Sequence, residues 1–135
     1  MLWQFNPTGR ARPQRQEYVD GAVAGALALI DVHSATVDEN LATLQALSTG
    51  AFADELKSGE SAFVASIREF AVDSDGRVDT AALASESGTS GVVLIAASAQ
   101  VANSAGESSA RTYRLRVGVE EVDGRVLMSS VEFVP

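Results

Sequence analysis

The chain is expected to fold as an α+β domain, with N-terminal helices packed on an antiparallel sheet of about four strands. Two features of the sequence predict this. Apolar residues recur at helical spacing as far as Phe70, and from Val72 onward they recur at strand spacing to the end. Helices that all precede the strands cannot form the crossovers of a parallel sheet, so the strands pair as hairpins and the helices cover one face. A third feature is size: 135 residues, 46% of them hydrophobic and 21% charged, suit one core.

The first helix is expected over Gln14–Val32, where Val19, Ala22, Val23, Ala26, Leu27 and Ile30 share one face. Gly21 and Gly25 lower its intrinsic propensity, which points to close backbone contact or to a weak helix. Thr36-Val37-Asp38-Glu39 reads as a capping box, with the Thr36 hydroxyl and the Glu39 carboxylate each closing on a backbone amide. A second helix, Val37–Ser48, follows with Val37, Leu41, Leu44 and Leu47 as its apolar stripe. Asp38 favours its positive end, and Gly50 offers the left-handed residue that stops it. The stripe Phe52, Leu56, Phe63, Ile67 and Phe70 gives a third helix over Ala51–Phe70, broken or kinked at Gly59.

Val72–Ala84 reads as a mediocre strand, interrupted by the turn formers Asp73-Ser74-Asp75-Gly76. After a turn at Ser87–Gly91, the run Val92–Ala97 is apolar on both faces, as expected for a strand buried in the middle of a sheet with helices above. A loop over Asn103–Ser109 leads to Tyr113, Leu115, Val117 and Val119, which alternate with Arg114, Arg116, Gly118 and Glu120. Asp123-Gly124 marks a tight hairpin because both central positions of a type I′ turn need positive φ. The last strand is expected over Arg125–Val134. Leu41, Leu44, Phe52, Phe63, Ile67, Ile95, Leu115 and Val117 should form the core.

Ten Lys and Arg against 18 Asp and Glu give a net charge of −8, which opposes binding to nucleic acid or anionic lipid. Arg10, Arg12 and Arg15 are the one basic cluster. Most of it lies in an arm, residues 1–13, expected to be flexible, where Trp3 and Phe5 would suit a membrane interface. No run of about 20 apolar residues is present to span a bilayer. The absence of cysteine excludes disulfides, thiolate nucleophiles and sulfur-based zinc sites, and leaves the compartment open.

Candidate chemistry is sparse. His33 has no second histidine or cysteine with which to build a conventional metal site, and is expected in a loop. Asp73-Ser74-Asp75-Gly76 with Asp79 resembles a calcium loop only faintly, since the glycine is displaced and the twelfth position is Ala84. Gly88-Thr89-Ser90-Gly91 lacks the spacing of a nucleophile elbow, and no phosphate-binding glycine loop precedes a helix. Acid–base chemistry in a cone between helices and sheet would fall to Asp31, Tyr18 or Tyr113. No cofactor is expected.

The order of helices and curved sheet is that of NTF2-like and VirB8-like domains. A narrower match rests on Ala28-Leu29-Ile30-Asp31, Thr36-Val37-Asp38-Glu39-Asn40-Leu41-Ala42, Leu47-Ser48-Thr49-Gly50-Ala51-Phe52, Arg114-Leu115-Arg116-Val117 and Val122-Asp123-Gly124-Arg125-Val126-Leu127-Met128-Ser129. In this ordered combination, over roughly Glu17 to Val134, the chain resembles the Mce-associated proteins of mycobacteria and related actinobacteria. It departs from them at Val126, where that family often carries tryptophan soon after the turn, and in having no transmembrane helix ahead of its first helix. The motif residues Thr36, Val37, Asp38, Leu41, Gly50, Phe52, Asp123 and Gly124 are structural, and none is catalytic. What the resemblance implies is a non-enzymatic accessory subunit that helps to assemble or stabilise an Mce-type lipid importer. Its partners would be Mce-complex proteins, and its place the extracytoplasmic side of the cytoplasmic membrane, tethered by an anchor outside this stretch of sequence. The alternatives are an NTF2-like domain that binds a lipid or another small ligand and, by fold analogy alone, an isomerase or dehydratase.

Overall fold

A computed structural model describes residues 13–135, so the arm with Trp3, Phe5, Arg10 and Arg12 lies outside the described residues. Three helices and five strands follow one another: α1 (Arg15–Ile30), β1 (Val32–His33), a 3-10 turn (Ser34–Thr36), α2 (Val37–Ala46), α3 (Gly50–Glu69), β2 (Asp73–Ser87), β3 (Ser90–Ala102), β4 (Ser108–Val122) and β5 (Arg125–Phe133). The strands form one antiparallel sheet in the order β1-β2-β3-β4-β5. The α+β expectation holds, with the short β1 added to the four strands foreseen. Bulges at Asp79, Ala84 and Ser129 add unpaired residues that bend the sheet around its helices.

Helix α1 lies across β2 to β5 and supplies the centre of the core. Its glycines are contact points. A Cβ on Gly21 would sit 2.8 Å from the Val126 carbonyl oxygen, and one on Gly25 would sit 2.9 Å from the Met128 sulfur. Tyr18, Ala22, Ala26 and Ile30 face the sheet and meet Val93, Ile95, Leu115, Val117, Val119 and Met128. At the helix start, Glu17 reaches back to accept from the Gln14 amide at 2.6 Å, half of a capping box that was not foreseen.

The expected cap at Thr36 does not form. Thr36 has φ −127° and ψ 26°, outside the extended region that aims a capping hydroxyl at the helix amides. Its hydroxyl instead donates to Asn40 Oδ1 at 3.3 Å, and the same Asn40 oxygen accepts from the His33 amide at 2.9 Å. Nor does Gly50 stop α2. The helix ends at Ala46 because β5 captures the following backbone: Met128 donates to the Leu47 carbonyl and Thr49 donates to the Met128 carbonyl, both at 2.8 Å. Gly50 does take positive φ, at 65°, and with it opens α3.

Helix α3 runs unbroken through Gly59, which faces open space, so the expected break does not occur. It also contains no buried residue, against the expectation for Phe52, Phe63 and Ile67, which are half-buried. The cause is its position at the rim, where it packs mainly against α2, β5 and the 3-10 turn. Arg68 ties it to Asp38 on α2, and Gln45 donates to Glu60 at 2.9 Å. Leu41, by contrast, is buried as expected. Leu41→Ala should therefore cost about 2–3 kcal/mol in denaturant unfolding and Ile67→Ala under about 1 kcal/mol; equal losses would contradict this layering.

The turn expected at Asp73–Gly76 is absent, because β2 runs straight through those residues. Their polar groups are used to hold the end of α1. Ser74 Oγ donates to the Ile30 carbonyl at 2.6 Å, and the Gly76 amide donates to Asp31 Oδ1 at 2.9 Å. The hairpins at Gly88 and at Asp123-Gly124 form as read, with φ 51° and 83° in the second.

Candidate functional site

Strand β3 shows where the open chemistry of the molecule lies. Val93, Ile95, Ala97 and Ala99 are buried under the helices, but Val92, Leu94 and Ala96 point to the other side of the sheet. As expected, β3 lies in mid-sheet with helices above it, but its other face is open: among the described residues the helices pack on one face and no element crosses to the other. Leu94 is left 44% exposed. An antiparallel sheet normally presents polar residues on its wet face, so a row of Ala82, Leu94 and Ala96 there is a departure that folding alone does not explain.

A shallow groove of about 370 Å³ crosses this open face from β2 to β4. Small side chains, Thr80, Ala82 and Ala96, make its floor, Leu94 stands in it, and Arg114 and Arg116 border it on β4. Around it the carboxylates are engaged. Glu132 pairs with Arg116 at 3.0 Å. Asp79 accepts from Ser98 Oγ at 2.9 Å and from Arg77 Nε at 3.1 Å, and these two bonds, Ser98 first, hold its carboxyl below the ordinary aspartate range. The Arg114 guanidinium has no hydrogen-bond or ion-pair partner among the described residues. The alternation of β4 announced both arginines, but the groove depends on the open face of β3, which the sequence did not reveal.

The candidate acid–base residues do not converge. Tyr18 is completely buried and its hydroxyl donates to the Gly88 carbonyl at 2.9 Å, at the β2–β3 hairpin. Asp31 caps the far end of the same helix, about 20 Å away by helical rise. Tyr113 stacks edge-on against Phe133 with ring centroids 5.9 Å apart. The space between helices and sheet, where a cone would lie, is filled by Tyr18, Leu44, Leu115 and Met128.

His33, expected in a loop, is instead in β1 opposite Asp73 of β2. Its Nε2 lies 3.4 Å from Asp31 and 3.5 Å from Asp75, and its Nδ1 lies 3.4 Å from Asp73. The donor atoms of Asp31, His33 and Asp75 all fall within 4.8 Å of one another, and these are types that a divalent cation accepts. Asp31 Oδ1 is already occupied by the Gly76 amide, and the cluster as it stands clamps the end of α1 to β1 and β2. Reading Asp73–Gly76 as a turn concealed this cluster from the sequence.

The structural motif residues mark the ends of elements. Thr36 and Val37 begin α2, Asp38 carries its tie to α3, and Leu41 anchors it. Gly50 begins α3, half-buried Phe52 rests on the core, and Asp123-Gly124 turns β4 into β5. No helix among the described residues is long and apolar enough to cross a membrane.

The fold is similar to several solved extracytoplasmic or secretion-system domains. The periplasmic domain of DotI superposes with a TM-score of 0.75 at 11% identity, over 93% of this chain and 98% of that one. An IcmL-like type IV secretion system protein from Legionella pneumophila gives 0.72 at 11% identity, over 93% and 95%. CagV, a VirB8 homologue from Helicobacter pylori, gives 0.63 at 9% identity, over 87% and 96%. At such identities the likeness is one of fold, and it bears out the VirB8-like, NTF2-like architecture. In sequence the chain is 32% identical to the protein Rv1363c of Mycobacterium tuberculosis along its whole length, and it spans about half of that relative, 52%. With residues 1–135 all matched, the chain belongs to the family described as "Uncharacterized protein Rv1363c/MT1408-like".

Proposed function

We propose that this domain is a non-enzymatic accessory module that helps to assemble or stabilise a multi-subunit complex of the cell envelope, on the extracytoplasmic side of the cytoplasmic membrane. The observation that carries the reading is the open sheet face: apolar at its middle and uncovered by any helix among the described residues. The similar folds of the periplasmic domain of DotI and of the VirB8 homologue CagV support an envelope setting. The motif resemblance to Mce-associated proteins supports an Mce-type lipid importer as that complex. A lipid held between helices and sheet has less support, because core side chains occupy that space. No reaction is assigned, since Asp31, Tyr18 and Tyr113 stand apart from one another.

The route would be mass action. A partner that binds only the assembled state stabilises it by about 2.7 kcal/mol at a hundredfold excess over its dissociation constant. Deleting the full-length protein should therefore lower the abundance of its Mce subunits and, with it, lipid uptake. Complementation with His33→Ala, Asp31→Asn or Tyr113→Phe should restore both. Normal Mce levels in the deletion strain would refute the assembly role, and a folded variant that loses uptake at normal Mce levels would place a ligand or reaction at the substituted residue.

A further inference from the structure

The groove on the open face has a chemistry of its own, and it narrows what can cover it. Its floor is apolar and small, Thr80, Ala82 and Ala96, with Leu94 beside it, and the charged groups on its border are cationic. Arg116 is neutralised by Glu132, while Arg114 is unmatched among the described residues. This occurs in a chain of net charge −8, and the Asp79 carboxylate on this face is already bound to Ser98 and Arg77. We infer that the groove receives a segment of another protein in which apolar side chains alternate with carboxylates, the apolar groups resting on Ala82, Leu94 and Ala96 and a carboxylate closing on Arg114.

Two other occupants fit less well. A second copy meeting this face with its own would set the groove lining against itself, and that lining contains two arginines and no carboxylate. Both Arg114 side chains would remain unmatched in a drying interface, which is costly. An anionic bilayer would meet two arginines on a protein whose overall charge repels it. An acidic, apolar polypeptide gains on both counts: a charge-assisted, forked contact to guanidinium and burial of an exposed leucine.

The inference rests on reading the domain as a partner-binding module, though not on which complex it joins. The test uses a short blocked synthetic peptide of alternating glutamate and leucine, titrated into the isotope-labelled chain and followed by amide NMR. Shifts should concentrate at Leu94, Ala96 and Arg114. Affinity should fall at least tenfold in Arg114→Glu and in Leu94→Ser, and stay unchanged in Lys57→Glu on α3. A lysine–leucine peptide should not bind. The inference is overturned by shifts outside the open face or none at all, by equal binding of the lysine peptide, or by binding of phosphatidylglycerol vesicles through the same residues. Self-association that Leu94→Ser abolishes would also overturn it, in favour of a second copy. A deletion strain with normal Mce levels would remove the importer assignment and leave this result standing, whereas failure of the peptide would leave an assembly role through another surface.

Discussion

Tyr18→Ala should destabilise the domain by about 3–5 kcal/mol, the range for truncating a fully buried aromatic side chain, and domains of this size hold only about 5–15 kcal/mol in total. Tyr18 has no exposed surface, and its ring lies 3.0 Å from where a Cβ on Gly91 would be, so the space it vacates has no flexible neighbour to fill it from β3. The hydroxyl adds a second role by tying α1 to the β2–β3 hairpin through the Gly88 carbonyl. Tyr18→Phe should thus cost only about 0.5–1.5 kcal/mol, with faster hydrogen exchange confined to that hairpin. Urea unfolding of the two variants separates these contributions. A loss under about 1 kcal/mol for Tyr18→Ala would contradict the placement of α1 on the sheet.

Gly76→Val should cost about 2–3 kcal/mol or prevent folding, although the sequence around it reads as a tolerant turn. Even a Cβ at this position would come within 2.7 Å of Ile30 Cγ1 and 3.0 Å of the Ile30 carbonyl carbon. Relief requires β2 to move from α1, which weakens the bonds of Ser74 to Ile30 and of Gly76 to Asp31 together. Gly59→Ala is the matched control: its Cβ enters open space within a helix, so it should stabilise by up to about 1 kcal/mol. If both substitutions behave alike in thermal unfolding, the close approach of α1 and β2 is wrong.

These residues also show what the sequence could and could not convey. Period and turn chemistry are local, so the order of helices before strands, the alternation through Leu115 and Val117, and the Asp123-Gly124 turn were all legible. Features decided by distant partners were not. Asp73–Gly76 has the composition of a turn, but two hydrogen bonds to the end of α1 and the ladder with β3 keep it extended. Thr36 has the composition of a cap, but Asn40 takes its hydroxyl. The apolar run Val92–Ala97 could not say whether one face or two were covered, and the answer depends on where the helices pack. That ambiguity hid the groove. The His33 cluster was hidden for the same reason, being assembled from α1, β1 and a stretch of β2 that looks like a loop.

The central claim is that the open sheet face is where this domain meets its complex. Its most direct test is photo-crosslinking in the native envelope, with a photoreactive amino acid replacing Leu94 on the open face or Lys57 on α3 of the full-length protein. The account predicts that position 94 crosslinks to Mce-complex or permease subunits, that Arg114→Glu in the same chain suppresses those products, and that position 57 yields none of them. Crosslinks to those subunits from position 57 with none from position 94, at equal protein levels, would contradict it.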